Sequence, residues 1–187
     1  LALENEKAFL RPLTPADLEE LHRALDEESA WRYLPTSQPK SPSQWAIGWE
    51  HTGTQEIGTL LGADATWLIR GASDGAILGM TSFLDVQAAH RGLEIGSTVL
   101  ARSARGTGLN AAAKHLLLGY AFEVLGAIRV CFKTDARNLA SQRALEKLGA
   151  KKEGVLRSHR LMPDGYRRDS VYYSVLDHEW PDLRDRR

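Results

Sequence analysis

The chain has 187 residues, with 24 Lys and Arg against 24 Asp and Glu, and that balance argues against direct nucleic-acid binding driven by net charge. A single cysteine, Cys131, excludes an intrachain disulfide, and no apolar run approaches the ~18 residues of a membrane span, so a cytoplasmic protein without a membrane partner is expected. No Pro/Gly/Ser-rich linker divides the chain, which predicts one domain over 1–187 with its core at about 8–180.

Residues 8–13 have strand composition, and Thr14-Pro15 opens a helix expected to run to about 28, with Leu18, Leu21 and Leu25 on its apolar face. Between 31 and 58, Trp31, Tyr33, Trp45 and Trp49 are interrupted by Pro35, Pro39 and Pro42, giving a loop and then a short helix from about 43. These aromatics either cap one end of the core or line a binding pocket. Spans 65–70 and 76–86 read as a hairpin across a turn rich in Gly and Asp, and 93–100 reads as the next strand.

Arg105-Gly106-Thr107-Gly108-Leu109-Asn110 follows that strand, and a helix of sustained three-four apolar spacing runs from Leu109 until Gly126 ends it. Strand, glycine turn and helix start together leave several backbone N–H groups converging at the positive end of a helix dipole, a setting that favours an anion such as phosphate. Span 127–134 alternates as a half-buried strand. A helix at 139–148 is expected to bury Ala140, Ala144, Leu145 and Leu148, with Gly149 stopping it. A hairpin over 154–161 and 167–176 turns at Pro163-Asp164-Gly165, and the polar tail from 181 is expected to fray. Mixed strands with inserted helices predict an α+β, or mixed α/β, sheet.

In this order the elements resemble the GNAT N-acetyltransferases, whose pyrophosphate loop reads Arg/Gln-x-x-Gly-x-Gly/Ala. Arg105 and Gly108 match that pattern, and Asn110 departs from it at the last position. The flanks 102–114 and 134–149 are similar to the branch that includes the ribosomal-protein acetyltransferases RimJ and RimL, over about 9–180. The resemblance implies a central, mostly antiparallel twisted sheet flanked by helices and splayed between strands 93–100 and 127–134, with acetyl-CoA in the opening as cosubstrate and no metal. The pantetheine arm would add to the strand edge at Thr98, Val99, Leu100 and Arg102. Its pyrophosphate would meet Arg105 and the amides of Gly106, Thr107, Gly108, Leu109 and Asn110. Asn138 either caps its helix or bonds the pantetheine, and Ser141 stands beside it. Lys114, Arg143 and Lys147 are further cations available to phosphates. A homodimer is implied at family level only.

Acetyl transfer to an amine needs a proton acceptor, and Glu94 is the first choice because it interrupts an apolar strand; a water-facing Glu94 is the bland alternative. His90 and Asp85 are weaker candidates. Backbone N–H groups near Val99 and Leu100 suit the oxyanion. Relatives place a tyrosine acid where this chain has Leu145, which leaves Ser141 as the nearest replacement. The acceptor would meet Trp31, Tyr33, Trp45 and Trp49, near Tyr166 and Tyr172. It is a protein N-terminal α-amine or a small-molecule amine such as an amino acid, polyamine or antibiotic. A non-catalytic acyl-CoA sensor is the reading from another class. Six scattered histidines carry no metal spacing, and Cys131 reads as a packed side chain rather than a nucleophile.

Overall fold

The computed structural model describes residues 1–45 and 65–185. Eight strands form one sheet: β1 (Leu3–Glu4), β2 (Ala8–Pro12), β3 (Ala65–Gly71), β4 (Ile77–Gln87), β5 (Gly92–Leu100), β6 (Arg129–Asp135), β7 (Lys151–Leu161) and β8 (Arg167–Leu176). Their spatial order is β1-β2-β3-β4-β5-β6-β8-β7. Every neighbouring pair is antiparallel except β5 with β6. Among the described residues the sheet is flanked by α1 (Leu18–Ala24), α2 (Leu109–Gly119), α3 (Leu139–Leu148) and α4 (Trp180–Arg184). A mixed α/β fold with a mostly antiparallel sheet is therefore what the chain forms.

Both faces of the sheet are buried over β3, which explains its unbroken apolar run. Trp67 and Ile69 join Phe83, Ile95, Phe132 and Tyr173 in a core covered by α2 through Leu109, Ala113 and Leu117. Leu68 points the other way, into a second core with Leu21, Leu25, Trp31, Trp45 and Val99. After Gly119 the α2 chain widens into a π turn over Tyr120–Val124, and Gly126, at φ +65°, ends it as its sequence position predicts.

Three local expectations are corrected. Helix α1 stops well short of residue 28, because the Leu25 carbonyl accepts the Trp31 indole N–H at 3.2 Å and the chain then turns. Ala140 and Ala144 are exposed, since α3 packs along a narrow stripe led by Leu145. The tail does not fray from 181, because α4 is anchored by buried Trp180, whose indole donates to Glu123 at 2.7 Å, and by Leu183 against Gly149. The helix predicted from about 43 has its first residues, 42–45, within the described part, and Trp49 lies outside it.

Thr14 is the N-cap, with Pro15 at the first position, of a 3₁₀ turn over Pro15–Asp17 that leads into α1, and Asp17 closes a capping box back onto it. The Asp17 carboxylate accepts the Thr14 N–H at 2.9 Å and its hydroxyl at 2.7 Å, together with two Arg11 guanidinium bonds. Arg11 is the main cause that pulls Asp17 down to about 2, against burial. A carboxylate depressed in the folded state stabilises above its unfolded pKa and loses that contribution as pH falls through the folded value. The protein should thus lose about 2 kcal/mol between pH ~4 and ~2 at this site alone. Urea midpoints against pH check this: Asp17→Asn should start less stable at pH 6 and lose less than the unsubstituted protein on acidification, and parallel curves would show that Asp17 contributes nothing.

Candidate functional site

The sheet parts beside β5. Strands β5 and β6 pair only through Gly92↔Arg129, Leu93↔Val130 and Glu94↔Cys131. Across β4, Met80 faces Val99 and Ser82 faces Gly96, so Thr81 stands opposite both Ser97 and Thr98. That extra residue is a bulge, with Ser97 at φ +48°, and it turns β5 away from its parallel neighbour. The edge of β5 beyond Glu94 is consequently unpaired on the β6 side, while Ala101 N–H remains bonded to Leu78 on the β4 side.

The opened strand leads directly into the glycine turn. Gly106 and Gly108 have φ of +77° and +89°, conformations that other residues adopt only with strain. The Thr107 hydroxyl donates to the Ala104 carbonyl at 2.7 Å and accepts the Leu109 N–H at 3.3 Å, which sets the loop onto α2. Among the described residues the N–H groups of Gly106, Thr107, Gly108 and Asn110 have no partner. The Lys7 ammonium lies alongside, 3.3 Å from where a Cβ on Gly108 would sit. Lys7 carries no periodic or motif signal, and sequence reasoning missed it.

Arg105 is held otherwise than its motif position suggests. Its guanidinium donates to the Leu100 carbonyl at 3.2 Å, to Ser29 at 3.0 Å and to Glu27 at 3.1 Å. It ties the loop to the segment after α1 rather than presenting its charge to the turn. Lys114 is buried on α2, bonded to Asn110 at 2.6 Å and Thr98 at 3.3 Å, and burial pushes it down to about 8. Asn138 caps α3 by accepting the Ser141 N–H at 3.1 Å, and Ser141 is half-buried next to it. Leu145 lies in the core, so the position of the relatives' tyrosine offers no proton donor. Arg102, Arg143 and Lys147 are exposed.

Glu94 is neither a water-facing side chain nor alone. It is buried, and the Lys133 ammonium sits 2.6 Å from its carboxylate. Continued pairing would bring Lys133 opposite Gly96, so this ion pair crosses the diverging strands diagonally. Burial works against the Lys133 charge, but the hydrogen bond and charge of Glu94 outweigh it and raise the Lys133 pKa. A Cβ at Gly96 would stand 2.8 Å from the Glu94 carboxylate oxygen, so a larger residue there would have to displace the Glu94 side chain. Asp85, near the end of β4, and His90, on the β4–β5 connection, are both exposed beyond the Leu84↔Glu94 pair. Burial pushes the Cys131 thiol up to about 11, which suits a packed side chain and not a nucleophile.

The aromatic residues divide. Trp31 and Trp45 meet edge to face at 5.3 Å inside the second core, and their indoles donate internally to Leu25 and His22, so they are core side chains. Tyr33 remains half-buried, with Arg137 over its ring at 5.8 Å and over that of Tyr166 at 3.5 Å. Arg137 also clamps buried Asp135 through two side-chain bonds. On β8, Tyr172 carries Lys133 over its ring at 5.3 Å and His159 against its edge at 5.8 Å.

A sheet opened by a bulge beside a glycine turn and a helix N-terminus is the architecture of the N-acetyltransferases. The chain belongs to the GNAT acetyltransferase family: residues 7–151 match the acetyltransferase (GNAT) domain. It is 30% identical over 180 residues to the YdaF protein of Bacillus subtilis (strain 168), whose name places it among ribosomal N-acetyltransferases, with 94% of each chain covered. A GCN5-related N-acetyltransferase from Brucella melitensis superposes with a TM-score of 0.86 at 26% identity, covering 98% of this chain and 82% of that one. The spermidine N-acetyltransferase of Vibrio cholerae, solved with CoA and spermine, shares the fold at a TM-score of 0.78 and 18% identity, covering 95% and 99%. The RimJ/RimL-like resemblance agrees with these relatives.

Proposed function

We propose that this chain, as a single domain, transfers the acetyl group of acetyl-CoA to a primary amine. The observation that carries the reading is the unpaired edge of β5 running from Glu94 into a glycine turn in which the N–H groups of Gly106, Thr107, Gly108 and Asn110 have no partner among the described residues. Acetyl-CoA supplies an activated acyl carbon, and the residues do the rest. The β5 edge and the Gly106–Asn110 amides hold the arm and its pyrophosphate, with the Lys7 and Lys114 charges beside them. Glu94 accepts the amine's proton, directly or through a water, as the C–N bond forms and the C–S bond breaks. The thiolate leaves without a dedicated acid, or takes its proton from the region of Ser141. The relative named for ribosomal N-acetylation favours a protein acceptor, such as an N-terminal α-amine, while the spermidine enzyme shows that the fold also serves small amines.

Thermal shift tests the cosubstrate. Acetyl-CoA at ~100 times its Kd should add about 2.7 kcal/mol of stability, a rise in Tm on the order of 5–10 °C. Gly108→Val, which forces a branched side chain to φ +89°, should abolish the rise. A shift with a mononucleotide and none with acetyl-CoA would reject the reading. Thiol release over a panel of peptides and amines then separates an enzyme from a sensor.

A further inference from the structure

The face of the sheet that carries Glu94 also carries an arginine whose burial the transfer chemistry leaves unexplained. Arg168, on β8, is more than nine-tenths buried, yet its guanidinium makes one hydrogen bond, from Nη1 to the Tyr33 carbonyl at 3.2 Å. Among the described residues its Nε has no partner. A buried donor left unsatisfied costs about 1–3 kcal/mol, and a buried cation without a carboxylate costs more. The nearby acid is already occupied, since Asp135 is clamped by Arg137. The ladder adds to the imbalance: Arg160 on β7 stands directly opposite Arg168, a like-charge cross-strand pair that is unfavourable without an anion between the two.

The field around them agrees. Along β8, Arg168, Ser170 and Tyr172 alternate onto one face, and His159 bonds Ser170 at 2.9 Å. Burial first, and then the charges of Arg160, Lys133 and Arg168, hold the His159 imidazole below its usual pKa. Glu94 and Tyr172 both lie within electrostatic range of Arg168. Of the cations on this face, Lys133 is neutralised by Glu94 and Arg137 by Asp135, whereas Arg160 and Arg168 have no ion-pair partner among the described residues. Arg160 is exposed to water, so the buried, unpaired charge beside the proposed base is that of Arg168, on which Asp135 and Glu94 act only at a distance.

We infer that the acceptor is an amine that also bears a carboxylate, and that Arg168, with Arg160 opposite, holds this carboxylate while the amine faces Glu94. The inference rests on the acetyl-transfer reading and narrows its acceptor. A guanidinium offering Nε and an Nη edge matches a carboxylate with two parallel hydrogen bonds, and the Tyr33 carbonyl fixes its remaining orientation. The carboxylate belongs either to a free amino acid or to the side chain of an acidic residue at a peptide's N-terminus.

Matched pairs test this. Each amino acid is compared with its own carboxamide, and the amide-capped peptide Asp-Gly-Gly with Asn-Gly-Gly, by thiol release from acetyl-CoA. The carboxylate member of at least one pair should exceed its partner by 10-fold or more in kcat/KM, and the pair that responds identifies the source. Arg168→Gln should collapse that ratio toward one, mainly through KM, and Arg168→Lys should restore part of it. Carboxamides equal to or better than the acids, or an Arg168→Gln loss shared equally by both members, would overturn the inference and leave Arg168 as a prop for the Tyr33 loop. If acetyl-CoA neither stabilises the protein nor releases thiol with any amine, the acetyl-transfer reading fails by itself. Calorimetric titration with the same pairs in the absence of acetyl-CoA then still decides the carboxylate site, because equal or absent heats for acid and carboxamide refute it.

Discussion

Glu94→Gln is expected to lower kcat/KM for the acceptor amine by ~10²–10⁴-fold, the range that general-base removal spans, while the thermal shift produced by acetyl-CoA persists. The exchange is nearly isosteric and keeps a hydrogen-bond acceptor, so it removes charge and basicity with little change of shape. Its structural side effect is calculable in sign: Lys133, 17% exposed at the side chain, loses the partner 2.6 Å away. Breaking a buried pair by removing one member costs up to about 3–5 kcal/mol, and partial exposure of Lys133 lowers that figure. Lys133→Met in the same chain removes the stranded charge and should recover stability but not rate. Activity within threefold of the unsubstituted enzyme at every pH would remove Glu94 as the base.

Trp67→Ala should be the most destabilising single substitution in the described core. Trp67 is fully buried and meets Phe83 and Tyr120 edge to face, each at 5.8 Å. Truncating so large a side chain costs about 3–5 kcal/mol in lost transfer energy and residual cavity, which lowers Tm on the order of 10 °C for a chain of this length. Its indole N–H, however, has no hydrogen-bond partner among the described residues. Trp67→Phe should therefore cost far less than truncation, because it deletes an unsatisfied donor while keeping most of the ring. Equal losses for the two variants, read from denaturant midpoints, would show that the indole nitrogen carries no penalty.

Most of the architecture was legible because it is local. Hydrophobic period placed β3 to β8, α2 and α3, and Gly106, Gly108, Gly126 and Gly149 adopt positive φ where the chain was expected to turn or stop. The site was only half legible, since its partners meet across long separations. Glu94 stood out as a charge among apolar neighbours, but that Lys133 faces it depends on two strands diverging just there. Lys133 did carry a signal, lying on the polar phase of the alternating stretch from Ile128 to Lys133. Arg105 followed its motif in position and not in contact, because Glu27 and Ser29 reach it from the segment after α1. Trp31 and Trp45 were evenly balanced between pocket and core. Composition counts aromatic rings without saying which cover α1, and both do.

The short pairing of β5 with β6 has a mechanical consequence. The eight strands form two plates, β1 to β5 and β6-β8-β7, sewn together at one end by three residue pairs and free at the other. A seam so placed resists sliding but resists scissoring poorly, since its stitches have almost no lever arm about the pivot. On the proposed reading, a guest whose amides pair with the free margin of β5 and that also touches the β6 plate would fasten the two far from that pivot, where a few weak stitches oppose the greatest torque. The strand that receives it would then double as a brace between the plates.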